Sequence, residues 1–180
     1  VMSMRGNPGD IGRRARLSNI QLSIVSPLHA LWPRFGADPV AGNEQARHDL
    51  ADCEELMQWV VVDPLKEKTY RQAEEMLHLP QCAGIKIHPE EHGYRISDHG
   101  KELFGFAAKH QVIVTTHSGE DNSKPEDFMP FINAHPEVTL ILAHIGCSSD
   151  NDKTHQVRAI ESRRYDNVFA DTSSAQNIFP

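Results

Sequence analysis

Four side chains recur at one place in a repeating unit of this sequence. His88, His117, His144 and Asp171 each stand at the end of an apolar run or just after it, at near-equal spacing. Imidazole is the usual ligand of zinc-like metals and the usual acid–base group near neutral pH. Three imidazoles and a carboxylate meeting at one mouth would suit a divalent metal. Lys86 lies two residues before His88 and so shares its face of a strand. A lysine inside a sheet is costly unless paired or modified. It could pair with a carboxylate, hold an anionic substrate, or become a carboxylated metal bridge. Glu120 and Asp121 follow His117 closely and are candidates to orient an imidazole, or else are solvated. Gly119 and Gly146 each follow a histidine by two residues and would let a loop turn sharply. Asp171-Thr-Ser-Ser174 could hydrogen-bond across the rim or cap a helix.

The elements that must position these residues follow from the hydrophobic pattern. Runs at Ile20–Val25, Gln58–Val62, Gly84–Ile87, Val112–Thr116, Val138–Ala143 and Asn167–Ala170 read as short buried strands. Between them, Asn43–Leu56, Thr69–Leu77, Lys101–His110, a segment begun by Pro125, and Asp152–Arg164 read as helices. Phe35–Asn43 and Pro89–Gly100 are the longest connections, and the Ser-rich Cys147–Asp152 reads as the loop before a helix. Residues 1–17 are poorly defined, with Asp10 a candidate cap for a helix over Ile11–Leu17. Strand–helix alternation predicts a parallel sheet of βαβ units. A complete barrel takes about 250 residues. With 180 residues and six strands, the expectation is an open doubly wound sheet or an incomplete TIM-like barrel. In either, the C-terminal strand ends share one face, where sites gather.

Composition sets the outer limits. The formal charge is −7, from 18 basic and 25 acidic side chains, which argues against nucleic-acid binding. No apolar run reaches the length of a membrane span. Three cysteines without a CxxC predict neither a disulfide framework nor a zinc ribbon, and a cytoplasmic setting is expected. Histidine, at 11, is as frequent as glycine. Of these, His29, His48, His78, His110 and His155 are expected at the surface and His135 in a loop, with His92 and His99 left open. Neither a phosphate-binding glycine loop nor a GxSxG elbow is present.

Several strand ends together resemble one family. They are Ile24-Val-Ser-Pro27, Trp59-Val-Val-Val-Asp-Pro64, Gly84-Ile-Lys-Ile-His-Pro89, Val114-Thr-Thr-His-Ser-Gly119, Leu140-Ile-Leu-Ala-His-Ile-Gly146 and Asn167-Val-Phe-Ala-Asp-Thr-Ser173. In order and spacing they resemble the amidohydrolase-related metal-dependent hydrolases, over about residues 18–180. The resemblance implies a distorted TIM barrel with a divalent metal, zinc foremost, and a small-molecule substrate split at an amide, ester or lactone-type bond. Some relatives are non-oxidative decarboxylases instead. It assigns His117 as a metal ligand, and His144 as a second-metal ligand or as the catalytic base or electrostatic group. Lys86 and His88 fall on the variable fourth-strand site. Relatives are often homo-oligomers. Two family features are absent: no His-x-His occurs, and Asp171 belongs to the seventh strand, not the last. The expectation is therefore one barrel fragment over 1–180, strands two to seven of eight, with about half the ligand set. An inactive metal- or partner-binding module is the other reading of such a fragment.

Overall fold

The computed structural model describes residues 7–33, 36–146, 152 and 154–173. Among them the order is α1 (Pro8–Leu17), β1 (Ser23–Val25), α2 (Leu28–Leu31), α3 (Pro39–Asp49), β2 (Leu56–Val61), α4 (Glu67–Met76), β3 (Cys82–Ile87), α5 (Pro89–His92), α6 (Ile96–His110), β4 (Ile113–Thr116), α7 (Pro125–Ile132), β5 (Thr139–Leu142), a 3-10 turn (Ala143–Gly146), α8 (Thr154–Ser162) and β6 (Val168–Ala170). The sheet runs β1-β2-β3-β4-β5-β6, each neighbouring pair parallel. A doubly wound sheet needs a reversal of strand order. None occurs here, and right-handed crossovers then place the helices on one side. Among the described residues the fold is a partial TIM-like barrel of six strands, with β1 and β6 as the edges of the sheet.

Alternation divides the strands into two faces. Val60, Ile85, Ile87, Val114, Leu140, Leu142 and Val168 join Phe104, Phe128, Ile132 and Ala159 of the helices in the main core. The opposite face carries one register row: Val61, Lys86, Thr115, Ile141 and Phe169. Two residues further along β3, β4 and β6, the same face carries His88, His117 and Asp171. Their shared rim is therefore a product of period-2 alternation in a register without slippage from β3 to β6.

Two helices, α1 and α3, begin earlier than their apolar stripes suggest, because their caps do, whereas α8 is shorter than the expected 152–164. Asn7 accepts from the Gly9 N–H at 2.9 Å ahead of Pro8, so Asn7 and not Asp10 caps α1. Asp38 accepts from the Ala41 N–H at 2.9 Å ahead of Pro39, which makes helix of much of the expected 35–43 connection. That helix ends at Asp49, and Leu56 opens β2 instead of closing a helical face. No glycine or proline marks the break between them. The expected 89–100 loop is largely α5 and the first turns of α6. Gly100 stands inside α6 because the Phe131 ring fills the space where a Cβ would lie. Phe35, Cys147 to Asn151 and Ser174 lie outside the described residues. Cys53 and Cys82 are free thiols. Among the described residues no helix is long and apolar enough to cross a membrane.

β1 stops at Val25, opposite Gln58, so Val61 has no strand beside it on that edge. Asn43 of α3 takes the place of one. Its Oδ1 accepts from the Val61 N–H at 2.8 Å, and its Nδ2 donates to the Val61 carbonyl at 2.9 Å and to Gln72 Oε1 at 3.0 Å. The side chain is fully buried. Asn43→Leu leaves two buried backbone groups unpaired and is expected to cost about 3 kcal/mol. Urea denaturation measures this, and a loss near zero contradicts the role.

Candidate active site

The rim is built by strand spacing. Parallel neighbours lie about 4.8 Å apart, and His88 and His117 occupy the same row on β3 and β4. Their rings accordingly stack, with centroids 4.2 Å apart and planes 9° from parallel. His144 is out of step. Strict alternation after Leu140 and Leu142 would send it toward the helices. The 3-10 turn Ala143–Gly146 redirects it, with His144 at φ 65. Its ring then lies 5.0 Å from His117, tilted by 60°.

A left-handed backbone costs a non-glycine residue about 1–2 kcal/mol. Here the turn is held at several points. The His144 N–H donates to Asp171 Oδ1 at 3.0 Å, and the buried Ser118 hydroxyl donates to the Ala143 carbonyl at 2.7 Å. Asp171 Oδ1 also receives the Ser173 N–H at 2.9 Å and the Ser173 hydroxyl at 2.5 Å. Burial pushes the Asp171 carboxyl up, but the hydrogen bonds from Ser173 and the His144 backbone outweigh it and hold its pKa low. Asp171 therefore ties two rim loops together and caps no described helix.

In an uncharged imidazole, the hydrogen-bond partners set the tautomer. The Ser173 carbonyl can only accept, so His144 Nδ1, 3.1 Å away, carries the proton and Nε2 keeps a lone pair. Glu120 Oε1 lies 3.0 Å from His117 Nε2, so that nitrogen donates and Nδ1 keeps the lone pair. His88 Nδ1 accepts from the Glu91 N–H at 3.3 Å, which leaves Nε2 as a donor. Burial foremost, then the neighbouring His117 and Lys86, pushes the His88 pKa down to about 2. Burial, His144 and Lys86 push that of His117 down to about 4. Both rings are uncharged at neutral pH. The His117 loop is fixed from α5: Glu90 accepts from the Asn122 N–H at 2.7 Å and from its Nδ2 at 2.9 Å. Gly119 turns this loop at φ 106.

Two open lone pairs are fewer than the roughly three protein donors of a catalytic zinc site. Among the described residues no three His, Cys, Asp or Glu side chains are placed to hold a metal. The described residues thus do not make a complete metal site.

Other sequence candidates fall elsewhere. Asp121 is fully exposed beside Lys124. His92 is buried under α2, its Nε2 3.4 Å from the Ala30 carbonyl, and His99 packs edge-on against Tyr94. His135 is a loop residue 3.3 Å from Glu137. His29, His48 and His78 are exposed. His110 and His155 are not: the His110 ring packs on Phe106 at 4.5 Å, and His155 bonds Glu126 between α7 and α8. Ser118 and Glu90 shape the rim and carry no sequence signal beyond their proximity to histidines.

The His144 backbone gives a direct test. His144→Gly is expected to be more stable than His144→Ala by about 1 kcal/mol, because glycine accepts the left-handed conformation freely. Paired urea denaturation curves measure the difference; equal stability contradicts the turn.

A family model described as Amidohydrolase matches residues 36–178. No curated protein matches the sequence. Among solved structures, the chain is similar to a dihydroorotase from Campylobacter jejuni, at 13% identity and a TM-score of 0.43. The match covers 73% of this chain and 40% of that one, so the chain spans well under half of that enzyme's length.

Proposed function

The chain belongs to the amidohydrolase family, and from that premise we propose that its rim serves a metal-dependent hydrolase that activates water against an amide, ester or lactone-type bond. One observation carries this reading. His117 and His144 come from successive strand ends, 5.0 Å apart, and each has one nitrogen fixed by a partner and one lone pair open. A zinc-like ion, if bound, would supply a water with its pKa lowered to about 7 and a Lewis acid for the carbonyl; His117 Nδ1 and His144 Nε2 are the donors this chain would offer it.

The chain's own side chains have separable tasks. Glu120 accepts the His117 Nε2 proton, which fixes the ring and enriches Nδ1. Ser173 holds the His144 ring through Nδ1 and Asp171 holds its backbone; in a one-metal site that leaves His144 unligated, its Nε2 lone pair is instead free to take a proton. His88 Nε2–H can donate to a substrate oxygen. Lys86 lines the substrate end below them. Since fewer than three of the needed donors converge among the described residues, the remaining ligands are assigned to no residue here.

Zinc titration of the chain tests the assignment. His117→Ala should weaken zinc binding by more than the ~10–100-fold expected of removing an outer partner such as Glu120. Turnover of an ester and lactone panel, read as water consumed and not carbon dioxide released, should fall with it. Unchanged zinc affinity and turnover in His117→Ala would sink the assignment.

A further inference from the structure

The short helix α5 has the rim at one end and a buried polar cluster at the other. His88 caps its start, and Glu90 holds the His117 loop through Asn122. One turn later, beneath α2, His92 is 7% exposed. Its N–H donates to the His88 carbonyl at 3.0 Å, and its Nε2 faces the Ala30 carbonyl at 3.4 Å. A carbonyl can only accept, so Nε2 carries the proton and Nδ1 keeps a lone pair. That lone pair is buried, and no described protein atom donates to it. The Tyr94 hydroxyl is buried as well, with no described atom to accept its proton. Asp63, 3% exposed just after β2, completes the cluster. Its Oδ1 accepts from the Leu65 N–H at 3.0 Å, while its Oδ2 lies 3.8 Å from Lys66 Nζ, beyond hydrogen-bond length. Burial pushes the His92 pKa down and the Tyr94 pKa up, and the Asp63 charge acts on both rings. A buried acceptor and a buried donor left unpaired are each destabilising. Both would be met by a partner that donates and accepts at once.

We propose that His92, Tyr94 and Asp63 form a binding site for an internal water, and that this water anchors the inner end of α5. The water accepts from the Tyr94 O–H and donates to His92 Nδ1 and to Asp63 Oδ2. About three hydrogen bonds are usual for a buried water. The anchor reaches the rim through α5. His92 and Tyr94 are thus positioning residues, for His88 and for the hold of Glu90 on the His117 loop. The site needs no metal and does not rest on the hydrolase reading.

NMR of the metal-free chain, with histidine isotope-labelled, tests the site. In the wild type, His92 Nδ1 should give the signal of an unprotonated nitrogen that accepts a hydrogen bond. A long-lived water should show cross-peaks to the ring protons of His92 and Tyr94. Tyr94→Phe, which removes one oxygen, should lose these water cross-peaks. The N–H groups of His92 and Gly93 bond the His88 and Pro89 carbonyls at 3.0 and 2.9 Å. In Tyr94→Phe their hydrogen exchange should quicken about tenfold while that of α4 keeps its rate, and the His88 ring signals should shift. A protonated His92 Nδ1, a wild type without long-lived water at either ring, unchanged water cross-peaks in Tyr94→Phe, or equal quickening in α4 and α5 would overturn the proposal. The first two readings use the wild type, so they decide the matter even if the variant fails to fold.

Discussion

The register that runs unbroken from β3 to β6 is the constraint on which the site depends. Lys86, Thr115, Ile141 and Phe169 are level across four strands. Because side chains alternate, the next row on that face must hold His88, His117, Ala143 and Asp171. A slip of one residue anywhere would send part of this row into the helix-side core, where Ile87, Leu140 and Leu142 are buried. The core and the rim thus specify one another. The apolar face cannot shift without burying imidazoles, and the imidazoles cannot leave the rim without exposing the core.

Against this background the His144 turn is a local exception held by specific bonds. Residue 143 has the rim position by alternation, and it is an alanine. The histidine one place later reaches the rim only through a left-handed residue and a 3-10 turn, tied by Asp171 and Ser118. Strain of this kind is often concentrated at functional sites. Burial contributes a second effect, since it keeps His88 and His117 uncharged, so that His117 Nδ1 keeps its lone pair and His88 Nε2 its proton.

Much of this was legible in the sequence because strand ends are marked twice, by the end of an apolar run and by a polar residue after it. All six strands could be placed from that signal, and with them the rim positions of His88, His117 and Asp171. Their family resemblance came from the same motifs, and the family match covers residues 36–178. Helix starts were less legible: Asn7 and Asp38 act through cap geometry, and their neighbouring prolines resemble loop residues as much as first-turn ones. Gly100 resembled a loop residue for the same kind of reason, since its role is to make room for Phe131. His110 and His155 look like polar helix residues in one dimension, and only the packing of α6, α7 and α8 shows what covers them. The turn that swings His144 inward, and the replacement of a strand by Asn43, depend on three-dimensional neighbours far away in sequence.

The convergence of the three imidazoles is the central claim, and ring-proton contacts measure it most directly. With histidine selectively labelled, nuclear Overhauser spectra should show His88 ring protons close to His117, and His117 close to His144. The observed centroid separations of 4.2 and 5.0 Å lie within reach of that experiment. A His144 ring that instead contacts the methyl groups of Leu140 and Leu142, with none from His117, would place it on the helix side and contradict the account.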